Sequence, residues 1–206
     1  MWSRLSRGSR DPEPRGSVHG DDDGRPAFAG RWVTFVVVEL VDLPRFGPDE
    51  YAQIVDGELD PFGTEHLAIE WGPKTDHVGL KDDDRLIGHA GWVRADMKVA
   101  TGKPIEVLGL GGVMLHRGYR GRGVGRVLVE GAMQQMEGQG TTIAILFCRP
   151  ERMRFYGDLG WHPLVDSVTV GQPGGPIVMP LRTCWLALAD GAIVPSGDLE
   201  FPGLPF

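Results

Sequence analysis

The chain has 206 residues, 41% of them hydrophobic and 24% charged; this is enough for one domain with a substantial core, whereas two domains would each be unusually small. A net charge of −7 makes the chain a poor candidate for coating nucleic acid, leaves its basic clusters to hold small local anions, and suits a cationic ligand. Cys148 and Cys184, the only cysteines, make no C-x-x-C spacing for metal or redox work and read as buried free thiols; no apolar run reaches the roughly 18 residues of a membrane span and no signal-peptide core opens the chain, so a cytoplasmic protein without membrane or metal is expected.

Residues 1–30 hold five arginines and five acids among Gly, Ser and Pro, a composition that predicts a disordered tail. From Arg31 the run RWVTFVVVELVDL predicts a strand stopped by Pro44, and 31–206 is read as the folded domain. Pro48 and Asp49 start a short helix with Gly57 as its stop. DHVGLKDDDRLIGHAGWVRADM predicts two strands joined at Asp82–Asp84. KPIEVLGLGGVML is a further strand interrupted by Gly109, Gly111 and Gly112, which signals a bulge or a close approach to the backbone. Val124, Val127, Leu128, Ala132 and Met136 recur at helical spacing up to Gly138, TTIAILFC fits a strand buried on both faces, and Pro150 opens another helix ending near Gly157 or Gly160. One or two last strands follow, and from about residue 186 the chain reads as irregular. The order gives an α/β (α+β) domain around one sheet.

Between the glycine-broken strand and its helix lies HRGYRGRGVGR, residues 116–126. A strand turning straight into a helix points the amides of Gly121, Arg122, Gly123 and Val124 into one concavity at the positive end of the helix dipole. Glycine lets an anion reach that backbone, and flanking arginines add charge-assisted bonds. The spacing fits neither G-x-x-x-x-G-K-[ST] nor G-x-G-x-x-G, and the alternative to an anion cradle is a tight turn with a solvated basic rim.

VMLHRGYRGRGVGRVLVEGAM resembles the acetyl-CoA motif of the GNAT superfamily of N-acetyltransferases, whose [QR]-x-x-G-x-[GA] signature is matched by Arg120, Gly121, Arg122, Gly123, Val124 and Gly125. The resemblance implies a mixed, mostly antiparallel sheet splayed at a bulge and flanked by helices. It also implies that the Arg122–Gly125 amides hold the pyrophosphate of coenzyme A and that the backbone of Val113 and Leu115 pairs with its pantetheine arm. RMRFYGDLGW is similar to the superfamily's next motif, with Tyr156 as the acid that protonates the departing thiolate.

The chain looks most like aminoglycoside 2'-N-acetyltransferases, with some similarity to nodulation N-acyltransferases; both modify an amino sugar. The implied activity is transfer of acetyl from acetyl-CoA to a primary amine of a small cationic molecule, with antibiotic resistance as one role and a homodimer as one assembly. A longer acyl donor, a non-catalytic acyl-CoA-binding module and a protein amine as acceptor are the alternatives. Where the aminoglycoside enzymes carry a glutamate before the bulge this chain has Gly111, so base candidates are sought in Glu106 and Glu39. His89 reads as structural, His116 as a phosphate contact or a surface turn, and Asp190, Asp198 and Glu200 as acids suited to a cationic substrate.

Overall fold

The computed structural model describes residues 37–99, 103–194 and 196–206; the expected tail over 1–30 and the start of the domain at Arg31 lie outside them. Among the described residues there are β1 (Glu39–Leu43), α1 (Pro48–Val55), β2 (Asp76–Asp82), β3 (Arg85–Val99), β4 (Ile105–Leu115), α2 (Val124–Met136), β5 (Ile143–Cys148), α3 (Met153–Gly157), β6 (His162–Pro163), β7 (Val168–Val170), β8 (Ile177–Val178), β9 (Arg182–Ala187) and β10 (Leu199–Phe201). None of their helices is long and apolar enough to cross a membrane.

β1, β2, β3 and β4 are antiparallel neighbours, β5 lies parallel to β4, and β9 and β6 continue antiparallel beyond it. The far end of β3 pairs instead with β10, which runs parallel to β7 and so brings in β8. Local chemistry sets the joints. The β2–β3 turn puts Asp83 at φ 51°, a left-handed position that aspartate tolerates. α1 starts with Pro48 at its first turn and the Glu50 carboxylate accepting from the Gly47 amide at 2.9 Å, and ends at left-handed Asp56 (φ 49°), just before the expected Gly57.

Alternation along the strands separates two cores. Val78, Leu80, Ile87, Trp92, Leu108 and Leu110 pack with Leu128 and Met136 of α2 and with Tyr156. The other face collects Met97, Val107, Ile145, Val170, Phe201 and Phe206. The segment expected to be irregular from about residue 186 carries no helix or strand over residues 188–194, 196–198 and 202–206, but its Leu199–Phe201 form β10, paired into the sheet, and Phe201 and Phe206 are buried. Its partners lie far away in sequence, so no local pattern announces them.

Candidate active site

β4 carries the central irregularity. Its register with β3 passes from His89↔Met114 to Gly91↔Gly111, two steps on one strand against three on the other, so one extra residue is accommodated around Gly112, at φ 59°. β4 pairs with β5 only over Leu108–Leu110. Beyond Leu110 the two parallel strands part, and the β5-facing edge of β4 from Gly111 to Leu115 is left with backbone groups to pair with an added extended chain.

That edge leads into a short 3₁₀ turn, Arg117–Tyr119, and then into the glycine turn. Gly121 and Gly123 sit at φ 74° and 80°, and a β-carbon at either would meet nothing within 4 Å. Glycine here serves a left-handed backbone that faces open space. Gly123 is the N-cap of α2 and supplies no side-chain cap, so the first amides of the helix remain available to an anion. The four arginines divide their tasks. Arg117 pairs with Asp56, Arg126 with Glu130, and Arg120 with Glu58 through two bonds at 2.8 and 2.5 Å, which hold the Glu58 carboxyl below the usual range. Arg120 Nε also donates to the Leu115 carbonyl at 2.9 Å. Arg122 lies over the Tyr119 ring at 5.9 Å and enters no ion pair among the described residues. The residues present therefore fit a phosphate-bearing ligand, with Arg122 as its free cation and Arg120 as a strut.

Tyr156 is carried by α3 and buried against Phe155 and Trp161, ring centroids 5.1 and 6.2 Å away. Burial raises the pKa of its phenol, so it holds its proton at neutral pH and can give it up only to a base formed beside it.

The other face of the bulge is crowded by residues that no motif indicated. A β-carbon on Gly109 would collide with the Phe206 ring, and one on Gly111 with the Phe206 backbone and, at 2.8 Å, with Lys74 Cε. Phe206 stacks on Phe147, centroids 5.0 Å apart, and its segment is anchored by the Gly72 amide donating to the Pro205 carbonyl at 2.6 Å. The absence of a carboxylate at position 111 thus has a steric reason. His89, fully buried, bonds the Gly112 carbonyl at 2.8 Å through Nδ1 and His77 Nδ1 at 3.0 Å through Nε2. Because a carbonyl only accepts, His89 Nδ1 is the donor and His77 Nδ1–H donates to His89 Nε2. Phe46 stacks on His89 at 3.6 Å. Burial pushes the His89 pKa down to about 4 and also lowers that of His77. The pair stays neutral and clamps the bulge.

The sequence candidates divide accordingly. Val113 stands on β4 where it parts from β5, the Arg120–Gly125 turn leads into α2, and Tyr156 stands on α3, which follows β5. Leu115 is on β4 too, but its carbonyl is engaged by Arg120. Glu106 is on the right strand at the wrong end: six residues before Gly112, roughly 20 Å at a strand's rise, it is exposed and held by Arg94 at 2.5 Å and near Thr141. Glu39 lies exposed on the outer strand, in register with Lys81. His116 Nδ1 accepts from the Gly118 amide and its Nε2 reaches Asp56 at 3.3 Å, so it shapes the turn. Asp190 and Asp198 are exposed. Glu200 lines, with Glu70 and Gln172, a surface groove of about 460 Å³ beside residues 201–204.

The family model described as an acetyltransferase (GNAT) domain matches residues 62–164. YhbS from Escherichia coli, a GNAT family N-acetyltransferase solved in complex with CoA, shares the fold with a TM-score of 0.55 and 16% identity, covering 81% of this chain and 91% of its own. The ribosomal-protein-S18-alanine N-acetyltransferase from Escherichia coli gives 0.50 at 14% identity over 77% of this chain and 100% of its own. Escherichia coli ElaA gives 0.50 at 16% identity over 73% and 99%. At such identities the likeness is one of fold. No curated protein matches the chain in sequence.

Proposed function

Since this chain belongs to the GNAT acetyltransferase family, we propose that it transfers acetyl from acetyl-CoA to the primary amine of a small cationic molecule, an amino sugar being the best fit. One observation carries the reading: β4 and β5 part after Leu110 beside a bulge, and the opening leads to an uncapped helix N-terminus fronted by left-handed glycines.

In this reading the Arg122–Gly125 amides and the Arg122 guanidinium hold the pyrophosphate, and the free edge of β4 around Val113 pairs with the pantetheine arm. The bound thioester supplies an activated acetyl group. The His89 clamp on the Gly112 carbonyl fixes the bulge, and with it the direction of the neighbouring backbone N–H groups that can polarise a thioester oxygen. Tyr156, protonated and buried, gives its proton to the departing sulfur. Glu106 stands too far away to act as base. Orientation of two bound reactants supplies most of the acceleration, and the amine sheds its proton to water or to a nearby neutral group.

The acceptor class rests on the far face of the bulge. Phe206 covers Gly109 and Gly111, where an acceptor presented by a protein chain would need an open trough. A surface groove beside residues 201–204 carries Glu70 and Glu200, which favour a cation. A thiol-release assay with acetyl-CoA over a panel of amino sugars and aminoglycosides tests this. Release with at least one of them is expected; acetyl-CoA bound without release on any amine would make the protein a non-catalytic acyl-CoA-binding module.

A further inference from the structure

The chain contains four lysines, Lys74, Lys81, Lys98 and Lys103, against seventeen arginines, and one of the four lies across the bulge. Lys74 precedes β2. Its Cβ and Cγ lie 3.0 Å from where a β-carbon on Gly91 would stand, and its Cε lies 2.8 and 3.9 Å from the corresponding points on Gly111 and Gly112. Three glycines of β3 and β4 thus form a trough for the lysine stem, which runs from the middle of β3 to the point where β4 leaves β5. Any side chain at Gly91 or Gly111 would displace it.

The amine at the end of that stem is held. Lys74 Nζ donates to the Gly72 carbonyl at 2.9 Å, and Gly72 is itself tied to Pro205 beside Phe206. Lys74 forms no ion pair among the described residues. Its neighbours on this face are the His77–His89 pair and the Phe206 main chain, whose carbonyl oxygen lies as close to the Gly111 point as Lys74 Cε does, at 2.8 Å, while the Asp76 carboxylate accepts from Thr75. A half-buried ammonium with no counter-ion is unfavourable, and burial brings its pKa down to about 8, so a sizeable fraction is the neutral, nucleophilic amine in mildly alkaline buffer.

Resting on the proposed binding of acetyl-CoA along β4, we infer that Lys74 is an acyl acceptor of this protein itself, acetylated in cis by the acetyl-CoA bound beside it. The Nζ lone pair attacks the thioester carbonyl carbon and forms the new C–N bond. The C–S bond then breaks with its electron pair on sulfur, and the proton lost by nitrogen ends on the thiolate, leaving Nε-acetyl-lysine and free coenzyme A. Nothing is oxidised or reduced. Acetylation removes the Lys74 cation from this face of the bulge and adds volume where an amine substrate would approach, so it competes with turnover.

The test uses the full chain and acetyl-CoA without an amine substrate, with peptide mass spectrometry over time and calorimetric binding on the same sample. Lys74 is expected to gain one acetyl group at least tenfold faster than exposed Lys98 and Lys103, at a rate independent of protein concentration. Gly123→Glu is expected to slow Lys74 to the rate of the surface lysines. Lys74→Arg, checked by thermal unfolding, is expected to bind acetyl-CoA and to lose the fast modification. Binding of acetyl-CoA with Lys74 acetylated no faster than Lys98 and Lys103, or at a rate that scales with protein concentration, would overturn the inference and leave the proposed function standing. Absence of acetyl-CoA binding would overturn both.

Discussion

Replacing His89 with asparagine keeps an amide N–H near the place from which Nδ1 now meets the Gly112 carbonyl, 2.8 Å away, and removes a titrating group. Burial holds the folded-state pKa of His89 at about 4, whereas an unfolded histidine titrates near 6.5. Between these values the unfolded chain binds more protons than the folded one, so the stability contributed by neutral His89 is complete above about pH 6.5 and is lost as pH falls toward 4. From about pH 7.5 to about pH 4.5 the loss amounts to roughly 2.5 kcal/mol. His77 is lowered in the same direction, and the bonded carboxylates Glu50, Asp56 and Glu58 also lose stabilisation on acidification; these persist in the variant, so the quantity to read is the difference between the two proteins. Urea unfolding of wild type and His89→Asn across this range should show wild type losing about 2.5 kcal/mol more. Near neutral pH the variant should be the weaker by about 1 kcal/mol or more, having lost the stack on Phe46. Parallel stability curves would mean that His89 titrates in the fold as it does in the open chain, and the clamp on the bulge would not exist as described.

Three further outcomes follow from the site. Gly111→Ala inserts a methyl against the Phe206 backbone and Lys74 Cε; about 1–3 kcal/mol of destabilisation is expected from overpacking, with faster proteolysis of the last residues, and an unchanged melting temperature would refute that packing. Arg122→Glu breaks no ion pair among the described residues and should leave stability within about 0.5 kcal/mol while weakening acetyl-CoA binding about tenfold or more in a calorimetric titration; equal affinity would place the phosphates elsewhere. Tyr156→Phe should bind acetyl-CoA as wild type does and lose about a hundredfold in kcat; full turnover in steady-state thiol release would remove the acid role.

Much of this site could be read from the chain because its parts are local. The glycines at 109, 111 and 112 announced a disturbance in a strand, and the structure shows both a bulge and a close approach, by Phe206 and Lys74. The turn 120–125 is one contiguous stretch whose resemblance to the GNAT signature could be read directly, and the burial of Tyr156 beside Trp161 follows from one short helix. What escaped depends on pairing across the sheet. His77 and His89 meet only because β2 and β3 align His77 with Gly91, and Lys74 reaches the bulge only across glycines of two strands. Phe206 is placed by a segment whose own sequence looks irregular but which is captured by Gly72, Gly171 and β3. Glu106 shows the opposite failure: an acid on the right strand was a reasonable base candidate, but an eleven-residue strand is long enough to put it out of reach, and Arg94 engages it there.

The most direct test of the central claim is a calorimetric titration of acetyl-CoA into wild type and Gly123→Glu, with thermal unfolding of both proteins alongside. Gly123 is left-handed and faces open space, so the variant should fold at a cost of about 1–2 kcal/mol of backbone strain while placing a carboxylate where the pyrophosphate would sit. The account predicts saturable binding to wild type with one site per chain and none to the folded variant. Equal binding by both, or none by wild type, would contradict it.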